Sequence, residues 1–86
     1  MVAPLIVEYD AIGDILYLGK TKPYAEQESE EIDYGVVARL NPTSGEVENL
    51  EILCFTARAK SGDGLSIPVL ADFRLPQAGL YRPHDI

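Results

Sequence analysis

The sequence is poor in the residues that most often hold metals or act as nucleophiles. It has one cysteine (Cys54), one histidine (His84) and no tryptophan. A lone cysteine excludes a disulfide within the chain, and one cysteine with one histidine cannot complete a closed zinc site. Cys54 falls on the apolar side of a predicted strand, so we interpret it as a small core residue. His84 lies near the end of the chain, away from that strand. We therefore expect no cofactor, no metal site and no catalytic residue.

Basic residues are also scarce, with 7 Lys and Arg against 14 Asp and Glu, which gives a formal net charge of −7. The negative electrostatic field of the protein repels phosphate backbones and anionic lipid. We therefore expect no nucleic-acid binding by the protein on its own and no membrane association. The sequence has no run of eighteen apolar residues and no basic-then-apolar leader. We therefore expect a cytoplasmic protein.

What is present is ordinary globular composition, 47% hydrophobic and 24% charged over 86 residues. A chain of this length closes one hydrophobic core and not two. We expect a single compact domain over residues 1–75. The last segment, 76–86, contains two prolines and a glycine and is predicted to be a mobile tail.

The hydrophobic pattern predicts an α+β fold that is mainly β, an antiparallel sheet made of two hairpins. The first hairpin pairs strands at about 5–9 and 14–19, two apolar runs that flank a short turn rich in aspartate. The second pairs strands at about 31–40 and 47–54, where apolar and polar residues alternate. Gly45 supplies the left-handed position of the turn between them.

After the second hairpin the pattern becomes weaker. A short helix is predicted near 56–61, ended by Gly62. The apolar stretch 65–73 is interpreted as an edge strand, because Pro68 cannot donate a hydrogen bond to a central ladder. A helix over 69–74 is the competing interpretation.

One acidic segment contains five carboxylates within eight residues and no Lys or Arg. Its members are Glu26, Glu28, Glu30, Glu31 and Asp33. One interpretation is a solvated loop that protects a sheet edge from association. The other is a docking surface for a basic protein partner, because complementary charge accelerates association.

Three segments occur in a characteristic order over residues 6–55. They are Tyr9-Asp10-x-x-x-Asp14-x-Leu16-Tyr17, then Glu28-Ser29-Glu30-Glu31-Ile32, then a strand up to the Gly45 turn followed by Leu50-Glu51-Ile52-Leu53. This order and spacing resembles the domain-of-unknown-function family 2283. The resemblance implies a compact β-rich fold of hairpins in small bacterial cytoplasmic proteins, with no assigned activity and no functional residue to transfer. Some relatives are encoded beside small toxin-like proteins, which implies an antitoxin-like or other partner-binding role.

These observations favour a non-enzymatic protein-interaction module over an enzyme. We expect a homodimer, since one short helix cannot cover both sides of the predicted sheet. The alternative is a small-ligand binder or enzyme whose site is assembled at a dimer interface. A deep pocket with convergent polar groups would favour that alternative, and a flat exposed surface would favour the interaction module.

Overall fold

The first two strands form the predicted hairpin in the computed structural model, which describes residues 4–76. Strand β1 (Ile6–Asp10) pairs antiparallel with β2 (Ile15–Gly19). The turn between them is shaped by Asp10, whose Oδ1 accepts hydrogen bonds from the backbone N–H groups of Ile12 and Gly13 at 3.0 and 3.1 Å. An aspartate that bonds the amides two and three residues ahead is a common way to close such a turn.

The predicted strand over 31–40 is wrong as a single element, because the structure divides it into two. Strand β3 (Glu28–Asp33) and strand β4 (Val36–Leu40) form a hairpin of their own. The turn between them includes Gly35, whose φ of 69° lies in the left-handed region that glycine enters without strain. The sheet therefore has five strands, and the last of them, β5 (Val47–Leu53), pairs with β4 as predicted.

All five strands lie in one antiparallel sheet in the order β1-β2-β5-β4-β3. The fold is therefore mainly β, as the sequence predicts. The central strand is β5, and the chain crosses from β2 to β3 through residues 20–27. The two edges of the sheet are β1 and β3.

Directly opposed residues of neighbouring strands point to the same side of a sheet, so the strand register defines two faces. What we call the apolar face consists of side chains from four strands: Val7, Tyr9, Leu16, Leu18, Leu50, Ile52, Val36 and Ala38. What we call the polar face has the charged and amide side chains of Glu51, Arg39 and Asn49 at its centre, and it also includes Glu8, Tyr17 and Val37.

Burial on the apolar face falls from β4 towards β1. Val36 and Ala38 on β4 and Ile52 on β5 are the buried apolar residues of the described chain. Leu18 on β2 is half-buried, and Val7 on β1 is 57% exposed. The hydrophobic core therefore lies under one half of the sheet only.

The predicted helix is confirmed as α1 (Phe55–Ser61), and Gly62 ends it with a left-handed φ of 76°. No residue of α1 is buried. From 62 to 76 the chain forms neither helix nor strand, so both the edge strand near 65–73 and the helix over 69–74 are wrong. Apart from Pro76, the predicted mobile tail lies outside the described residues. None of the helices within residues 4–76 is long and apolar enough to cross a membrane.

Candidate docking surface

The acidic segment is for the most part an edge strand and not a loop. Four of the five predicted docking residues lie on β3, namely Glu28, Glu30, Glu31 and Asp33. Glu26 lies in the turn before the strand, so the structure sets it apart from the other four. Glutamate is a poor strand former, and the pairing with β4, which begins with two valines, holds this sequence extended.

The carboxylates of β3 project to both sides of the sheet edge. Glu28 lies opposite Leu40 and Glu30 opposite Ala38, which places both on the apolar side. Glu31 lies opposite Val37 and so points to the polar side. A polypeptide lying along this edge would therefore meet negative charge above and below its backbone.

All five predicted docking residues are exposed. The ion pairs among the described residues join Lys20 to Glu46, Arg39 to Glu51 and Arg74 to Asp72, and none includes a predicted docking residue. Among the five, only Asp33 forms a side-chain hydrogen bond within residues 4–76, since its Oδ1 accepts the backbone N–H of Tyr34 at 2.7 Å. The negative charge of β3 is thus not neutralised by any basic side chain within 4–76.

The start of β3 is held by a network of polar side chains that sequence reasoning missed. Gln27 is only 7% exposed and donates from Nε2 to Asn49 Oδ1 at 2.7 Å and to Glu48 Oε1 at 3.1 Å. Asn49 is 3% exposed and donates from Nδ2 to the carbonyl of Thr21 at 2.5 Å. Buried amides are stable only when their donors and acceptors are satisfied. The network therefore fixes the crossover segment against the sheet and determines where β3 begins.

Glu48 is the charged member of this network. It is the extra residue of a bulge, because Arg39 pairs with Asn49 while Leu40 already pairs with Val47. Its carboxylate accepts the hydroxyl of Tyr24 at 2.5 Å. That hydrogen bond, with a second from the side chain of Gln27, lowers the pKa of Glu48.

Gly19 is the one sequence signal that points to the network. It is buried at the end of β2, opposite Asn49. A Cβ at this position would lie 2.7 Å from the carbonyl oxygen of Glu48 and would also overlap the Asn49 amide. A glycine inside a strand pattern often marks this kind of close approach.

A second polar cluster joins the first hairpin to α1. Asp14 adopts a positive φ of 56°, and its carboxylate accepts the hydroxyl of Tyr9 at 2.7 Å. It also accepts the hydroxyl of Thr56 at 2.7 Å and the backbone N–H of Thr56, so it caps the first turn of the helix from a distant segment. The Tyr9 hydrogen bond, followed by those from Thr56, lowers the pKa of Asp14. The turn aspartates thus act structurally.

Cys54 is exposed and has a positive φ of 54°, so its assignment to the core is wrong. It stands at the junction of β5 and α1, where the chain leaves the sheet.

A shallow cleft of about 680 Å³ lies beside Cys54, between this junction and the β3–β4 turn. In that cleft Arg58 donates from Nε to the carbonyl of Leu53 at 3.0 Å and also bonds the carbonyl of Tyr34. Its guanidinium lies 5.8 Å from the centre of the Tyr34 ring. The guanidinium that lines the cleft is therefore already engaged by hydrogen bonds within the fold.

Within residues 4–76, no three Asp, Glu, His or Cys side chains converge as metal ligands. Comparison with known proteins gives no family model, no curated protein and no solved structure that matches the chain. The family resemblance of the three sequence segments thus stays a prediction.

Proposed function

We propose that the protein is a non-enzymatic interaction module that binds a basic protein partner along β3. The observation that supports this best is the combination of an open sheet edge with four exposed carboxylates that no basic side chain of the described residues neutralises. An edge strand offers backbone hydrogen-bonding groups, and the carboxylates select for positive charge.

The density of charge favours a docking role over simple protection of the edge. Two or three charged side chains already discourage edge-to-edge association. Four on one strand repel one another, and this repulsion lowers the stability of the fold. A basic partner relieves the repulsion when it binds, and it is attracted over about 10 Å at 0.1 M salt.

The same charges make the edge selective. A second copy of β3 placed alongside would bring like charges directly opposite one another, which is destabilising. An extended segment in which Lys or Arg alternates with apolar residues would instead pair its charges with the glutamates on one side of the strand. An antitoxin-like role, as the family resemblance implies, is one biological form of such binding.

The alternative of a small-ligand binder or enzyme receives less support. The cleft beside Cys54 is wide and shallow, and Arg58 directs its Nε and one terminal nitrogen to backbone carbonyls. Ligand sites are usually enclosed and have polar groups that remain free to bind.

The test is direct binding of a labelled peptide in which lysine alternates with valine. Binding is measured by fluorescence anisotropy at about 0.05 M and about 0.5 M salt, which brackets the range over which exposed charges are screened. We expect wild-type affinity to fall steeply with salt. The triple variant Glu28→Gln, Glu30→Gln, Glu31→Gln should bind weakly at both concentrations.

A matched control removes the same number of charges elsewhere: Glu8→Gln, Glu46→Gln and Asp72→Asn. If binding depends on β3 and not on net charge alone, this control keeps most of the wild-type affinity. Equal losses in the two triple variants would contradict the proposal.

A further inference from the structure

A group of apolar side chains on the β1 side of the sheet stays open to solvent. Leu5, Val7 and Tyr9 are 55%, 57% and 46% exposed, and they alternate along the chain so that they share the apolar face. Their neighbours Leu16, Leu18 and Leu50 are half-buried. We call these six residues the apolar patch. It contains no charged side chain, and the segments that carry Val7, Leu18 and Leu50 are held in one row by the strand register.

We propose that a second copy of the chain packs on the apolar patch, sheet against sheet. A sheet buries its apolar face against another layer, and the described chain supplies a buried core only under β4 and part of β5. A second copy brings a surface of the same twist and the same chemistry, and two such faces pack about 10 Å apart.

Charge selects one of the two ways in which a twofold axis can relate the faces. If the axis crosses the strands, β3 of one copy lies over β3 of the other, and their carboxylates meet at about the 10 Å sheet spacing. If the axis runs along β2, the two β3 strands lie on opposite sides of the dimer. Each is then three strand spacings from the axis, so they are separated by roughly 29 Å, well beyond the screening length of about 10 Å. Because the carboxylates of β3 repel one another, the second arrangement is the more stable of the two.

This geometry specifies which residues meet. Leu18 of each copy lies near the axis and faces its counterpart, while Val7 faces Leu50 of the other copy. Tyr9 is held in place at the border of the patch by its hydroxyl bond to Asp14 and by the Phe55 ring, whose centre is 6.1 Å away. The patch would bury on the order of 800 Å² in the two copies together, which lies at the low end of protein interfaces and corresponds to a weak dimer.

The arrangement goes beyond the proposed capture of a basic partner and is compatible with it, because both β3 edges stay exposed in the dimer. The two proposals can fail independently, because the dimer is tested by the molecular mass in solution and the capture of a basic partner by peptide binding.

The first test is light scattering on the full chain across about 1–200 µM, a range that spans a micromolar dissociation constant. We expect the mass to rise towards twice the 9.4 kDa of one chain. Val7→Glu should raise the dimer dissociation constant by at least about tenfold, because it buries a charge in the interface. Ile12→Glu makes the same chemical change at a fully exposed turn residue and should leave the constant unchanged.

The second test determines the orientation of the twofold axis by cross-linking. The reagent is a bismaleimide with a spacer of about 10 Å, which matches the distance between packed sheets. In a Cys54→Ser background, Leu18→Cys should give a covalent dimer. Val37→Cys is the control on the polar face and should not. Glu30→Cys should not link to itself, because the proposed axis keeps the β3 strands apart.

A monomer mass throughout the concentration range would overturn the proposal. So would a dimer that survives Val7→Glu but is lost on Leu70→Ser with Phe73→Ser, two exposed residues of the segment after α1. Efficient self-linking of Glu30→Cys would overturn the axis.

Discussion

The two faces of the sheet are stabilised by different kinds of interaction. On the polar face, hydrogen bonds among side chains such as Gln27 and Asn49 fasten the crossover segment to the strands. On the apolar face, stabilisation comes from packing, and it is concentrated at Val36, Ala38 and Ile52. The centre of the polar face is therefore held by side-chain hydrogen bonds within one chain, whereas the apolar face is packed over only part of its width. Stability should depend on both faces, and association should depend on the open part of the apolar face.

The largest effect is expected at the centre of the packed region. Ile52 is 3% exposed, so Ile52→Ala should lower the free energy of unfolding by about 2–4 kcal/mol through lost burial and a cavity. Ile12, which is fully exposed, is the matched control, and Ile12→Ala should stay within about 0.5 kcal/mol. Urea denaturation of both variants measures the difference. Similar losses at the two positions would show that the packed half of the apolar face does not stabilise the chain.

A smaller but still large effect is expected from the polar face. Asn49→Ala removes one of the two hydrogen bonds that the buried amide of Gln27 donates and leaves the carbonyl of Thr21 without its side-chain donor, which should cost about 1–3 kcal/mol. Gln27→Ala should cost a similar amount. Since the two side chains bond each other, the double variant should lose less than the sum of the single losses in urea denaturation. Additive losses would mean that the network does not act as a unit.

The contrast between the faces also explains what could be predicted from the sequence. Apolar runs around a turn predict β1 and β2, alternating apolar residues predict β5, and the stop at Gly62 predicts α1, so these four elements were predicted close to their observed bounds. The division of 31–40 was missed because the apolar alternation continues in step across the turn and Tyr34 is a common strand residue. Only the left-handed Gly35 marks the break.

For the candidate docking surface, charge was a more informative signal than the hydrophobic pattern. The acidic residues stand out in the sequence by charge alone, but the extended structure that four of them adopt as an edge strand was not predicted. An acidic run has low strand propensity, and pairing with β4 overrides that propensity. The network that positions β3 had no local pattern to reveal it, since Gln27 and Asn49 are 22 residues apart in the chain and meet only in the fold. Gly19 was the single usable signal.

A third prediction tests the ion pair at the centre of the polar face. Arg39 and Glu51 bond at 2.9 Å, and their side chains are 21% and 15% exposed. Arg39 Nε has no partner among the described residues, so loss of Glu51 would leave the guanidinium poorly satisfied. Glu51→Ala should therefore cost about 1–2 kcal/mol, between the values for exposed and buried pairs. Glu8→Ala, an exposed residue two strands away in the same row, should cost less than about 0.5 kcal/mol in the same denaturation assay.

A fourth prediction concerns the corner where the first hairpin meets α1. Because hydrogen bonds from Tyr9 and Thr56 lower the pKa of Asp14, its contribution to stability is present above its unfolded-state pKa and is lost as the pH falls through the folded value. The wild type should thus lose stability below about pH 4. Asp14→Asn, which tolerates the same positive φ, should be less stable at neutral pH, and the gap should narrow in acid. Urea denaturation as a function of pH checks this. A constant gap would contradict the assignment.

The smallest effect on the free energy of unfolding is expected from substitutions on β3, the edge strand that carries carboxylates on both faces of the sheet. Glu28 and Glu30 project to the apolar side and Glu31 to the polar side, and none of them has an ion-pair partner in the described chain. Their replacement by Gln removes repulsion and no ion pair formed within residues 4–76, so stability should be unchanged or rise by up to about 0.5 kcal/mol.

Salt separates this explanation from a change in strand propensity. Repulsion between exposed carboxylates is screened as the Debye length falls from about 10 Å at 0.1 M salt to about 3 Å at 1 M. Any gain in the triple variant should therefore be largest at low salt and disappear at high salt. The variant with Glu8→Gln, Glu46→Gln and Asp72→Asn removes the same charge but breaks the surface pairs of Glu46 and Asp72, so it should show no gain. A decrease of more than about 1 kcal/mol in the free energy of unfolding of the β3 variant would show that these carboxylates stabilise the folded chain. Their role would then be structural, and the charge of β3 would not support partner binding.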